Sequence, residues 1–103
     1  MIKVKRVNNV ITVSGHAGYS EYGTDIVCAS VSSIINTVVN SCMSIDSNSI
    51  NYQDDSKVVT ITKINENEYV DKILNTMIEI LKDLERQYKE NIKVESEEWK
   101  CYL

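Results

Sequence analysis

The stretch "TDIVCASVSSIINTVVNSCM", residues 24–43, decides the fold. Val27, Val31, Ile34, Ile35, Val38 and Val39 are β-branched, and such residues also suit strands. Their spacing argues the other way. With Cys42 they recur mostly every three or four positions, over a length that one helix fills and one strand does not. Thr24-Asp25 stands where a helix cap belongs. The stretch is therefore read as a buried helix from Asp25 to about Met43.

On its N-terminal side, Ile2, Val4 and Arg6 alternate with Lys3 and Lys5. Asn8-Asn9 makes a two-residue turn into "VITVS", so residues 2–14 read as a hairpin. On its C-terminal side, residues 49–53 and 57–64 flank Asp54-Asp55-Ser56 and read as a second hairpin. Val70, Ile73, Leu74, Met77, Ile80, Leu81, Leu84 and Tyr88 give an amphipathic helix over about 67–89, supported by the pair Glu85 and Lys89. "NIKVES" is a last short strand. The order is ββαββαβ, and the expected fold is α+β: one domain over residues 1–103, a sheet with two helices packed on it.

A chain of 103 residues buries roughly 65% of its unfolded surface. No run of eighteen apolar residues is present, so no membrane span is expected. "MIKVKRV" alternates like a strand and lacks the apolar block of a secretory signal. Three cysteines cannot all pair with one another, which points to a reducing compartment and hence the cytoplasm. The net charge of −4 argues against a general nucleic-acid binder.

The window before the helix, "GHAGYSEYG", holds all three glycines and the one histidine. Gly15, Gly18 and Gly23 allow positive φ and close backbone approach. With Asp25 as cap, Cys28 falls in the first helical turn. A thiol there meets the positive end of the helix dipole and unsatisfied N–H groups, and both favour the reactive thiolate. The loop lets His16 fold back toward Cys28, which would place a base beside a nucleophile. Against this, a helical cysteine is ordinarily a small hydrophobe and a lone histidine an ordinary surface or core residue. One His and one nearby Cys leave a structural zinc short of ligands, and no C-x-x-C exists, so neither metal nor cofactor is expected. A phosphate cradle lacks its usual G-K-[ST] ending.

The segment "GHAGYSEYGTDIVCASVS" resembles the signature of the ribosomal-processing cysteine protease Prp family, in which a G-H-A motif precedes D-I-V-C-A by one short loop. Chain length and element order extend the resemblance, and Ser30, where a small apolar residue is expected, is its one departure. The resemblance implies a cytoplasmic cysteine endopeptidase that removes the N-terminal extension of ribosomal protein L-twenty-seven during ribosome assembly. By position it gives Cys28 the nucleophile role and His16 the general-base role. Asp25 matches the family's aspartate and either orients the site or only caps the helix. A homodimer is also expected. The family points that way, and the first helix is apolar on more than one face.

Chemistry adds further expectations. Backbone N–H groups of Cys28 and Ala29 are candidate oxyanion donors. Ser32, one turn after Cys28, either hydrogen-bonds behind the site or packs, and packing is favoured. Cys42 reads as a core hydrophobe and Cys101 as a tail residue. Gly15, Gly18, Tyr19 and Gly23 are candidate substrate-binding residues, with Tyr19 and Tyr22 offering flat apolar surface. Residues 7–56 carry Glu21, Asp25, Asp46, Asp54 and Asp55 and no lysine or arginine, a formal charge of −5 that would attract basic peptides and work against phosphate contacts. Two other classes stay open: a non-catalytic ribosome-assembly or RNA-associated binding protein, and a structural homodimer whose loop is only architecture.

Overall fold

In the computed structural model, which describes residues 1–21 and 23–97, the order is β1 (Ile2–Val7), β2 (Val10–Ser14), α1 (Ile26–Ile45), β3 (Ile50–Asp54), β4 (Val58–Lys63), α2 (Glu68–Gln87) and β5 (Ile92–Ser96). Both helices are where their periodicity puts them. The strands form one sheet in the order β3-β4-β2-β1-β5. β1 runs antiparallel to β2 and parallel to β5, and β4 runs antiparallel to both β2 and β3.

Strand alternation decides which face is covered. Ile2, Val4, Ile11, Val13, Ile61 and Ile92 are buried, and they join Val27, Val31, Ile35, Val70, Leu74 and Leu81 of the helices in one core. On the opposite sheet face Lys3, Lys5, Gln53, Lys93 and Glu95 are exposed. Two inward positions are charged. Arg6 is buried, and Lys63 is buried with its Nζ 2.8 Å from Asp71 Oδ1 and 3.3 Å from Glu66 Oε2. Burial opposes the Lys63 charge, but the hydrogen bonds and charges of Asp71 and Glu66 outweigh it and hold the ammonium above its ordinary pKa of 10.5.

α1 contains no charged residue, and by length and apolarity it is the one described helix that would suffice to cross a membrane. The sequence expectation rested on an unbroken apolar run and missed this, because serines, asparagines and a threonine interrupt α1 without adding charge. Here Val27, Val31, Ile35, Val38, Val39 and Cys42 of α1 are buried in the core.

The turns follow from short polar side chains. Asn8 takes φ +53°, a left-handed conformation that asparagine tolerates. In the β3–β4 turn, Asp54 Oδ1 accepts from Ser56 N at 2.9 Å, and Asp55 Oδ1 accepts from Lys57 N and Val58 N at 2.9 and 2.7 Å. These bonds shape the hairpin tip, which turns toward the start of α1.

Candidate active site

β2 is the central strand, so Gly15 and His16, which directly follow it, do not leave the sheet at an edge. They emerge from its middle, directly before the start of α1. Gly15 has φ +85°, and a Cβ there would lie 2.3 Å from the Met1 carbonyl oxygen. Only glycine fits.

Asp25, not Thr24, is the cap. Its Oδ1 accepts from Val27 N and Cys28 N, both at 3.0 Å. Its Oδ2 accepts from Tyr19 N at 3.0 Å and Ser20 N at 3.2 Å. One buried carboxylate thus starts the helix and closes the loop that carries His16. Burial pushes its pKa up, but the four N–H groups, Cys28 first, prevail and hold it below the ordinary 3.8. Thr24 instead ties the loop to itself. Its Oγ1 donates to Glu21 O at 2.9 Å and lies 2.7 Å from Ser20 Oγ.

This cap overturns one expectation. The Cys28 N–H is bonded to Asp25 Oδ1, and the Ala29 N–H to Asp25 O at 3.0 Å. Neither is free to receive an oxyanion. The thiol is met instead from the loop, where Ala17 N–H donates to Cys28 Sγ at 3.3 Å. Cys28 is half-buried and His16 exposed. Both line one cleft of about 800 Å³ between the loop, the first turns of α1 and the β3–β4 hairpin. Among the described residues no hydrogen bond joins the His16 ring to the thiol.

Gly15, Gly18, Gly23 and Ser32 also line the cleft. Ser32 is exposed there, not packed as expected, because its side of α1 opens to the cleft. Tyr19 is placed differently from its expectation. Its ring meets Tyr88 edge-on, with centroids 5.4 Å apart and an interplanar angle of 88°, and it is not part of the lining. Tyr22 and Cys101 lie outside the described residues. Cys42 is fully buried as expected, and burial pushes its thiol pKa up.

The charge of the cleft also differs from that of the sequence window. Its charged lining is Asp25, Asp54 and Lys57. Lys57 stands one residue beyond the lysine-free window, and the hairpin folds it onto the cleft. Asp25 is already engaged by backbone N–H groups, and Glu21 is not in the lining. The strongly acidic site expected from residues 7–56 is therefore not assembled. Sequence reasoning also missed Tyr88 and Asn91, which reach the loop from the far end of the chain: Asn91 Nδ2 donates to Ala17 O at 3.0 Å. A separation of 74 residues leaves no local signal for such a contact.

Comparison with known proteins fits this geometry. The sequence model of the cysteine protease Prp family matches residues 1–93. The ribosomal processing cysteine protease Prp of Staphylococcus aureus is 37% identical over 92 residues, 86% of each chain. A crystal structure of an essential ribosomal processing protease Prp from S. aureus, with a covalently linked product peptide, superposes with a TM-score of 0.84. It is 34% identical and covers 94% of this chain and 100% of that one. A second S. aureus Prp structure, with a substrate peptide, gives a TM-score of 0.76 at 27% identity over 93% of this chain and 97% of that one. The α+β fold thus has its counterpart in known enzymes, and the chain belongs to the cysteine protease Prp family, as a cysteine protease.

Proposed function

We propose that this protease uses His16 and Cys28 as a catalytic dyad to remove the N-terminal extension of ribosomal protein L-twenty-seven in the cytoplasm. The observation that carries the reading is the setting of Cys28: a thiol in the first turn of α1, hydrogen-bonded by Ala17 N–H and sharing a cleft with His16. His16 takes the Cys28 proton, and the thiolate attacks the scissile carbonyl carbon. The tetrahedral adduct expels the amine, which takes the proton back from the imidazolium. Water, deprotonated by His16, then hydrolyses the thioester and restores the thiol. The relative crystallised with a covalently linked product peptide supports such a bond to the chain. Asp25 acts as the cap and loop clamp that hold the two groups, not as a proton carrier.

The substrate assignment is supported by relatives named as ribosomal processing proteases. Its test is incubation with the organism's own L-twenty-seven protein and mass spectrometry of the products. Release of a short N-terminal peptide by the native enzyme, and none by C28A, is expected. A substrate left whole by the active enzyme overturns the assignment. A homodimer belongs to the same reading. Ile26, Met43 and Ile45 of α1 are exposed, and burying them against a second copy would remove apolar surface from water. Light scattering at micromolar protein is expected to give about twice the chain mass, and a monomer there overturns it.

A further inference from the structure

The corner between α2 and β5 is built by Tyr88 to Asn91. Tyr88 N donates to Leu84 O at 2.9 Å and ends the helix, and Tyr88 O accepts from Asn91 N at 2.9 Å. Asn91 O in turn accepts from Ile2 N at 2.8 Å, so both backbone groups of Asn91 are tied to the frame. Its side chain reaches from this corner to the loop. Its amide nitrogen donates to Ala17 O at 3.0 Å, and because a carbonyl only accepts, the nitrogen must be the end that faces it. The other side of Ala17 is its N–H on Cys28 Sγ. Ala17 itself is 2% exposed, with its methyl in the core. One buried residue thus carries a hydrogen bond on each side, one from a rigid corner and one to the thiol. The Tyr88 ring, edge-on to Tyr19, braces the next part of the same loop.

We propose that Asn91 is a positioning residue for the thiol: by holding the Ala17 carbonyl it fixes the N–H that meets Cys28 Sγ. The proposal rests on the reading of Cys28 as nucleophile. Other groups also bear on this thiol. His16 and Asp25 stand in the loop and the cap, Tyr19 and Tyr88 on the brace, and Asp54 and Lys57 on the hairpin. Replacements of Asn91 remove none of these groups, so a change in the reactivity of Cys28 reports the loss of the hold on Ala17.

The test uses N91A and N91L, the second of which keeps the branching and heavy-atom count of the side chain and lacks the donor. Iodoacetamide alkylation of Cys28 is followed against pH in folded protein, together with kcat and KM for peptide cleavage. The rate of Cys28 alkylation at neutral pH is expected to change by about threefold or more. The expected drop in kcat is about tenfold, with KM held within about twofold. Folded variants with an unchanged alkylation profile overturn the proposal. If both variants fail to fold, the wild-type protein decides: the NMR signals of the Asn91 side-chain amide should move as Cys28 ionises, and signals blind to it overturn the proposal. Peptide cleavage by C28A would instead remove the nucleophile reading, a separate outcome from any result at Asn91.

Discussion

The N–H of Ala17 lies on the Sγ of Cys28, so the residue after the histidine holds the thiol that begins α1. Histidine and cysteine are thereby linked through backbone before any contact between their side chains. The loop is held at both ends of this arrangement, by Asp25 at the helix start and by Asn91 from the opposite end of the chain. This geometry bears directly on what substitutions do.

Cys28→Ala is expected to abolish peptide cleavage, and His16→Ala to reduce it by at least about 10³-fold, because a nucleophile and its base act as a unit. Cys42→Ala is expected to retain activity. Its thiol is buried in the core, with its pKa raised, and does not reach the cleft. Steady-state cleavage of one peptide by the three variants checks this. Near-native activity in Cys28→Ala would refute the proposed chemistry.

Gly15→Ala places a methyl group 2.3 Å from the Met1 carbonyl oxygen and a non-glycine residue at φ +85°. The backbone conformation alone costs about 1–2 kcal/mol. Relief of the clash requires β1 and β2 to part where His16 is held. The expected outcome is a lower Tm together with a large fall in kcat/KM. A variant of native stability and native activity would show that this close approach is not needed.

Asp25→Asn separates cap from clamp. The amide oxygen can still accept from Val27 N and Cys28 N, but the amide nitrogen then faces the N–H groups of Tyr19 and Ser20. α1 is expected to survive and the loop to loosen, with activity falling at least about tenfold. The folded-state pKa of Asp25 is depressed, so its contribution to stability is fully present above the ordinary value of 3.8 and fades as pH falls through the lower folded value. Wild-type protein should therefore lose stability in acid more steeply than the variant, and parallel curves of Tm against pH would contradict this. Asn67 caps α2 in the same way, accepting from Tyr69 N and Val70 N, but it does not line the cleft. Asn67→Ala should cost about 1 kcal/mol of stability and leave kcat unchanged.

The order of elements was legible because each carries a period. Val27 to Cys42 repeats as a helix and Ile2 to Arg6 as a strand, and those residues are the ones buried. The place of His16 and Cys28 was legible because both stand next to element ends that the sequence marks, Ser14 and Asp25. What escaped was set by tertiary contact. Asn91 and Tyr88 are polar residues in a helix-to-strand corner, and nothing local says that they brace the loop. The use of the Cys28 and Ala29 N–H groups by Asp25 follows from the two lone-pair edges of one carboxylate, which spacing alone does not reveal. The charge of the cleft depends on which hairpin reaches it.

The β3–β4 hairpin also sets how the cleft treats charged substrates. The sequence window from 7 to 56 suggests an acidic site that draws in basic peptides. In the cleft, Lys57 joins Asp54 and Asp25 in the lining, and backbone N–H groups hold the Asp25 carboxylate in its charged form. The lining thus carries a net charge of only −1, and further attraction for a basic substrate has to come from outside it, from residues such as Glu21 and Asp55. Exposed charges of that kind act over about 8–10 Å and are screened by salt. Removing the opposing lysine should therefore expose the acidic field. Lys57→Gln is expected to raise kcat/KM severalfold for a peptide with lysines beyond its apolar segment and to lower it for the same peptide with glutamates, the difference shrinking as salt rises. The change should fall mainly on KM, because steering alters encounter and not the chemistry of Cys28. The lysine is a suitable probe because its backbone N–H, not its ammonium group, closes the turn on Asp55, so the hairpin survives the substitution. Equal effects on both peptides at every salt concentration would show that the cleft selects by shape and apolar contact alone.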